Sequence, residues 1–228
     1  ADDEWFPSHI HNARLTLNEH PQIVWFCSAF ERRREDGTLE YIHCVKDIFQ
    51  RKSVIEDYFV TEAETSFSRP SSMLVKKDVL KTTGLFNTEI GHGEDLDLWF
   101  RIALRYPQIA YHQEPGCIYW QRQGSITSYQ LNDIPRFIRR IKITETAYLT
   151  YNRFGKSPSA ELLLGQWVQY AVKGAVKQKD FRSIQTIDAV LSNYLSTSWK
   201  FLVKVLKFRI TTDIACFLVS KRTKNNLG

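Results

Sequence analysis

A chain of 228 residues with 43% hydrophobic and 13% aromatic side chains has enough apolar surface for one large or two modest folded units, which excludes disorder except at the ends. Its net charge of +6 is unevenly spread: residues 130–228 hold 17 basic against 6 acidic side chains, leaving residues 1–129 net acidic. No run of about 18 apolar residues reads as a membrane span, and Cys27, Cys44, Cys117 and Cys216 lie too far apart for a zinc site or a disulfide framework. Free thiols in a reducing compartment are the reading that remains.

Up to about residue 128 the pattern alternates between helix and strand. Pro7 suits the first turn of a helix running to Glu19, which His20-Pro21 ends. Gln22–Phe30 is β-branched and aromatic, Arg32–Thr38 contains the turn pair Asp36-Gly37, and Leu39–Val45 is the return strand. Ser71–Val75 reads as a short strand and Lys77–Thr82 as a helical turn stopped by Gly84. Leu98, Ile102 and Leu104 recur on a helix that starts at Glu94 and closes at Tyr106-Pro107. Ile109–Tyr111 and Cys117–Trp120 then read as two strands.

Beyond Asp133 only helices are predicted: from Pro135 to Tyr151, from Ser157-Pro158 to Lys177, one capped by Asp180, and one from Ser198 through Val219. The last sets Trp199, Leu202, Val203, Leu206 and Ile210 against Lys200, Lys204, Lys207 and Arg209. Such a helix either packs on its neighbours or docks on an anionic membrane surface. Nucleic acid is excluded as a partner, because no recognition motif accompanies the basic charge.

Two acidic clusters concentrate the chemistry: Asp2-Asp3-Glu4-Trp5-Phe6-Pro7 and Gly91-His92-Gly93-Glu94-Asp95, the latter preceded by Gly84-Leu85-Phe86-Asn87. Each has an alternative use in capping a helix, which carboxylates do well. Together they resemble the family 2 glycosyltransferases, whose nucleotide-sugar half ends in Asp-x-Asp-Asp-x-Trp-x-Pro and is followed by a Gly-x-Phe-Asn and Glu-Asp segment. The resemblance covers roughly residues 1–128, and the chain reads as a fragment beginning inside the Asp-x-Asp motif.

The resemblance implies an α/β fold, the acceptor-side half of a GT-A nucleotide-sugar transferase domain over residues 1–129, followed by a basic helical appendage over 130–228. It implies an inverting transfer of a sugar from a nucleotide-sugar donor to the hydroxyl of a carbohydrate or lipid-linked acceptor, in polysaccharide assembly at the cytoplasmic face of a membrane, with the isolated fragment inactive. By the same match Asp2, supported by Asp3, holds a divalent ion, Mn2+ or Mg2+; Asp95 is the base and Glu94 its orienting partner. Ser72 falls in the family's acceptor pocket and Arg122 in a late loop near the diphosphate. His92 sits where it could touch acceptor, and Trp99 divides between core packing and sugar stacking. Two other classes stay open: a non-catalytic remnant acting at a membrane or on a protein partner, and a metal hydrolase, for which the ligand set is thin.

Overall fold

The computed structural model describes residues 3–45, 54–122, 133–151 and 157–206. Among these, six strands form one mixed sheet. The strands are β1 (Glu4–Trp5), β2 (Trp25–Arg34), β3 (Leu39–His43), β4 (Val54–Ile55), β5 (Met73–Val75) and β6 (Ile109–Gln121). The parallel pair β2 and β6 is its spine. One end of the spine is flanked by β4 on β6 and β5 on β2, the other by β1 on β6 and β3 on β2. Burial follows from that central place: Trp25, Phe26 and Cys27 are wholly enclosed, as expected of a strand covered on both faces.

Four helices accompany the sheet: α1 (His9–Glu19), α2 (Tyr58–Thr65), α3 (Lys77–Thr83) and α4 (Glu94–Arg105). The α1 helix begins at His9 rather than Pro7, and His9 is fully buried instead of lying on the helix surface. Strand β2 runs on through Arg34, because Glu40 on β3 neutralises Arg32 at 3.0 Å and Arg34 at 2.8 Å across the hairpin. Where two strands were expected, β6 is one, with a bulge: Ser28, Ala29 and Phe30 pair with His112, Pro115 and Cys117. Pro115 cannot donate to the ladder, and Gly116 leaves room for the Ser28 hydroxyl and the His9 ring, which a Cβ there would strike.

The helical region comprises α5 (Ile134–Tyr151), α6 (Pro158–Lys177), α7 (Phe181–Val190) and α8 (Thr197–Leu206). Ser157 caps α6 through Ala160 N–H at 3.3 Å, and Asp180 caps α7 through Ser183 N–H at 3.0 Å. One hydrophobic core runs from α1 to α8 without a break at residue 130. Helix α5 packs on α4, and α6 packs on α2 and α5. The fully buried Phe100 of α4 links the two regions, meeting Tyr148 of α5 at 6.4 Å and Trp167 of α6 at 5.7 Å between ring centroids. Its burial alone contributes about 2–3 kcal/mol. Among the described residues no helix is long and apolar enough to cross a membrane.

Candidate functional site

The loop before α4 is built to present carboxylates. Gly93 has a φ of 75° and ψ of 23°, left-handed values that a side chain resists. A Cβ there would also come within 2.3 Å of the Arg140 guanidinium. The turn therefore needs glycine twice over, once for its backbone and once for Arg140. Immediately after it, Glu94, Asp95 and Asp97 occupy the first turn of α4, where the helix dipole favours negative charge.

The three carboxylates have different duties. Asp97 is 1% exposed and fully engaged: it accepts from Arg101 Nε at 2.9 Å and from Thr144 Oγ1 of α5 at 2.9 Å. Arg101 in turn donates to the carbonyls of Thr83 at 2.6 Å and Leu85 at 2.8 Å, clamping the Gly84–Asn87 loop onto α4. Asn87 then closes a local turn by accepting from Glu89 N–H at 2.9 Å. Glu94 and Asp95 are left half-buried at the mouth of this scaffold. Burial raises the pKa of Asp95, with the charge of Glu94 acting in the same sense, while Leu96 N–H, Arg140 and His92 oppose the rise.

Arg140 is the residue that the sequence reading missed. It comes from α5, is 4% exposed, and its guanidinium lies 4.3 Å from the Phe137 ring centroid and 4.9 Å from that of Trp167. Burial pulls its pKa down to about 10, against the pull of Asp95, Asp97 and Glu94, so it stays cationic at neutral pH. Its Nε has no hydrogen-bond acceptor among the described residues. Beside it opens a cleft of about 240 Å³, lined by Glu89 and His92 of the loop and by Arg136, Arg139 and Arg140 of α5. His92 is half-buried with its pKa lowered, first by burial and then by the charge of Arg140, which favours the neutral ring.

The N-terminal cluster sits elsewhere, on β1 and the end of β6. Ser71 Oγ donates to one Asp3 carboxylate oxygen, and Trp120 N–H donates to the other at 3.1 Å. Trp5 Nε1 reaches the Ser71 carbonyl at 2.7 Å, and Trp120 Nε1 reaches Glu4 at 3.1 Å. Asp3 is thus held firmly, and each of its oxygens keeps a lone pair for a further donor or a cation. Asp2 lies outside the described residues, and among those described no three metal-ligating side chains converge.

Two expectations are revised by burial. Ser72 is enclosed, with its hydroxyl spent on the Arg69 carbonyl at 3.0 Å and against Cys27 Sγ at 3.3 Å, so it is a buried structural residue with no face open to an acceptor. Trp99 is 4% exposed and packs between Trp25 and Phe86, each 6.4 Å away between ring centroids. It is a core residue, with no free face for a sugar. Arg122 is exposed just past the end of β6, two residues after Trp120, whose N–H holds Asp3.

The segment from Ser68 to Ser72, buried at both ends, connects α2 with Asp3. Ser68 N–H donates to Glu62 at 3.0 Å and its hydroxyl meets Tyr58 Oη at 3.1 Å, while Ser71 holds Asp3. The charge of Asp95 is felt at both Glu62 and Tyr58. An Asp57 cap on α2, accepting from Phe59 N–H at 2.8 Å, was the sequence signal that could have revealed this helix.

No protein-family model matches the chain, and no curated protein matches it in sequence.

Proposed function

We propose that this chain forms the acceptor side of an inverting GT-A type glycosyltransferase, with Asp95 as the general base. The observation that supports this most is Asp95 itself. It is a half-buried carboxylate fixed at a helix start behind a glycine turn, with its pKa raised and a buried cation nearby. A raised carboxylate pKa strengthens a base that must still be ionised near neutral pH. In the reaction Asp95 takes the proton of the acceptor hydroxyl as its oxygen forms a bond to the anomeric carbon. The bond from that carbon to the nucleotide diphosphate breaks on the opposite face, which inverts the centre. Glu94 orients the acceptor, and Asp97 with Arg101 keeps the loop in place.

A divalent ion, Mg2+ or Mn2+, held by Asp3 with Asp2, would neutralise charge on the departing diphosphate when bound. The exposed Arg122 follows Trp120, which holds Asp3, by two residues and suits a diphosphate contact. The competing reading, docking of the last helix on a membrane, gains no support from its described part, Thr197–Leu206; the rest of the expected helix, to Val219, lies outside the described residues. Trp199, Leu202, Val203 and Leu206 of α8 are buried in the core, leaving Phe201 as the large apolar side chain it exposes. A cytoplasmic place at the membrane face fits a transferase of lipid-linked acceptors and is part of the same proposal.

The test is release of nucleoside diphosphate from a panel of nucleotide sugars, with divalent ion and an acceptor mixture, by the protein purified from its natural host. Asp95→Asn should lower turnover about 100-fold or more while leaving the circular dichroism spectrum unchanged. Full turnover in that variant would remove Asp95 from the chemistry.

A further inference from the structure

The cleft beside the proposed base has a composition that the sugar-transfer chemistry leaves unexplained. An acceptor hydroxyl needs a carboxylate and hydrogen-bond partners, yet this cleft of about 240 Å³ brings Arg136, Arg139 and Arg140 together against the single carboxylate of Glu89. Arg140 is 4% exposed, with an Nε that has no acceptor among the described residues. A buried guanidinium with an unused donor is costly unless something accepts from it. Arg136 is paired with Asp133 at 3.3 Å but stays 61% exposed, and Arg139 is exposed at the rim. Three arginines lining one opening suit a multiply charged tetrahedral oxyanion, because each guanidinium carries a planar fork of donors.

We propose that this cleft binds the phosphate or pyrophosphate group of an anionic acceptor, placing that group beside Asp95 with the acceptor hydroxyl turned toward the base. The term acceptor rests on the proposed role of Asp95; the oxyanion site itself rests on the cleft alone. His92 and Arg140 connect the two, since both line the cleft and both act electrostatically on Asp95. The donor's diphosphate belongs to the other side, near Asp3 and Arg122. The cleft therefore adds an anion site to the one that the donor requires.

Titration calorimetry with inorganic pyrophosphate at low salt, on the full chain, reads the site without any turnover. The wild-type chain should bind, with affinity falling as salt rises. The double variant Arg136→Ala/Arg139→Ala alters two exposed side chains and should fold normally, and it should bind at least tenfold more weakly. Asp95→Asn removes a like charge near the anion and should bind at least as tightly as wild type, so a failure of the base assignment leaves this result intact. Equal binding by the double variant, or no binding by wild type, would overturn the proposal. A prenyl pyrophosphate in detergent serves as a second arm. Tighter binding than inorganic pyrophosphate, lost in the double variant, assigns the group to a lipid-linked acceptor; equal binding, lost in the same variant, assigns it to a soluble phosphorylated one.

Discussion

At the scale of single residues, the informative groups are ionisable side chains placed where water cannot reach them. Glu62 is 4% exposed, accepts one hydrogen bond from Ser68 N–H, and burial pushes its pKa up to about 7. In the unfolded chain the same group titrates near 4.3, so between roughly pH 4 and pH 7 the folded state holds a proton that the unfolded state has lost. Its stabilising contribution is complete below pH 4 and disappears as pH rises through about 7. Glu62→Gln keeps the acceptor for Ser68 and removes the titration. That variant should lose this part of the pH slope, and above pH 7 it should exceed wild type by up to about 3 kcal/mol. Urea unfolding at pH 5 and pH 8 checks this, and identical slopes would show that Glu62 does not titrate with folding. Glu62 was not legible as special in the sequence, since a glutamate in a helix is ordinarily solvated and only its packing under Ser68 changes it.

At the scale of elements, the junction of the 84–93 loop with α4 decides whether Asp95 is correctly placed. Gly93→Ala combines a side chain at φ 75° with a Cβ that would meet Arg140 at 2.3 Å. Such strain costs about 1–3 kcal/mol, and a shift of Arg140 to relieve it would disturb Asp95 as well. Thermal unfolding should show a lowered Tm, whereas Gly37→Ala on the open hairpin turn lacks the clash and should cost less. An equal loss at both glycines would mean that backbone strain alone matters. These turns were readable in advance because glycine, proline and acidic caps act locally. The bulge in β6 was not, because Pro115-Gly116 breaks the alternation that marks a strand, while the β2 pairing that continues through it is set far away in the chain. Helix α2 escaped for a related reason: at eight residues, Tyr58–Thr65, it is too short for its apolar spacing to stand out.

At the scale of the molecule, the change from acidic to basic composition near residue 130 does not divide the fold into separate cores. Arg140 of α5 lies against the Gly93 turn from which the carboxylates of α4 start, so acidic and basic halves of the chain meet at the site. Sequence reading placed the loop, its glycines and the Glu94-Asp95 pair together because they are contiguous. It could not place Arg140, which lies 45 positions after Asp95 and reaches it only through the packing of α5 on α4. Arg140 thus links the basic half to the proposed chemistry, and Arg140→Met keeps most of its volume while removing its charge. The measurement to make is the pH dependence of kcat/KM for wild type and Arg140→Met, read as nucleoside diphosphate release. The acid limb, reporting ionisation of the base, should move to higher pH in the variant, because Asp95 loses the cation that holds its pKa down. An acid limb at the same pH in both proteins would contradict Asp95 as the base in the field of Arg140.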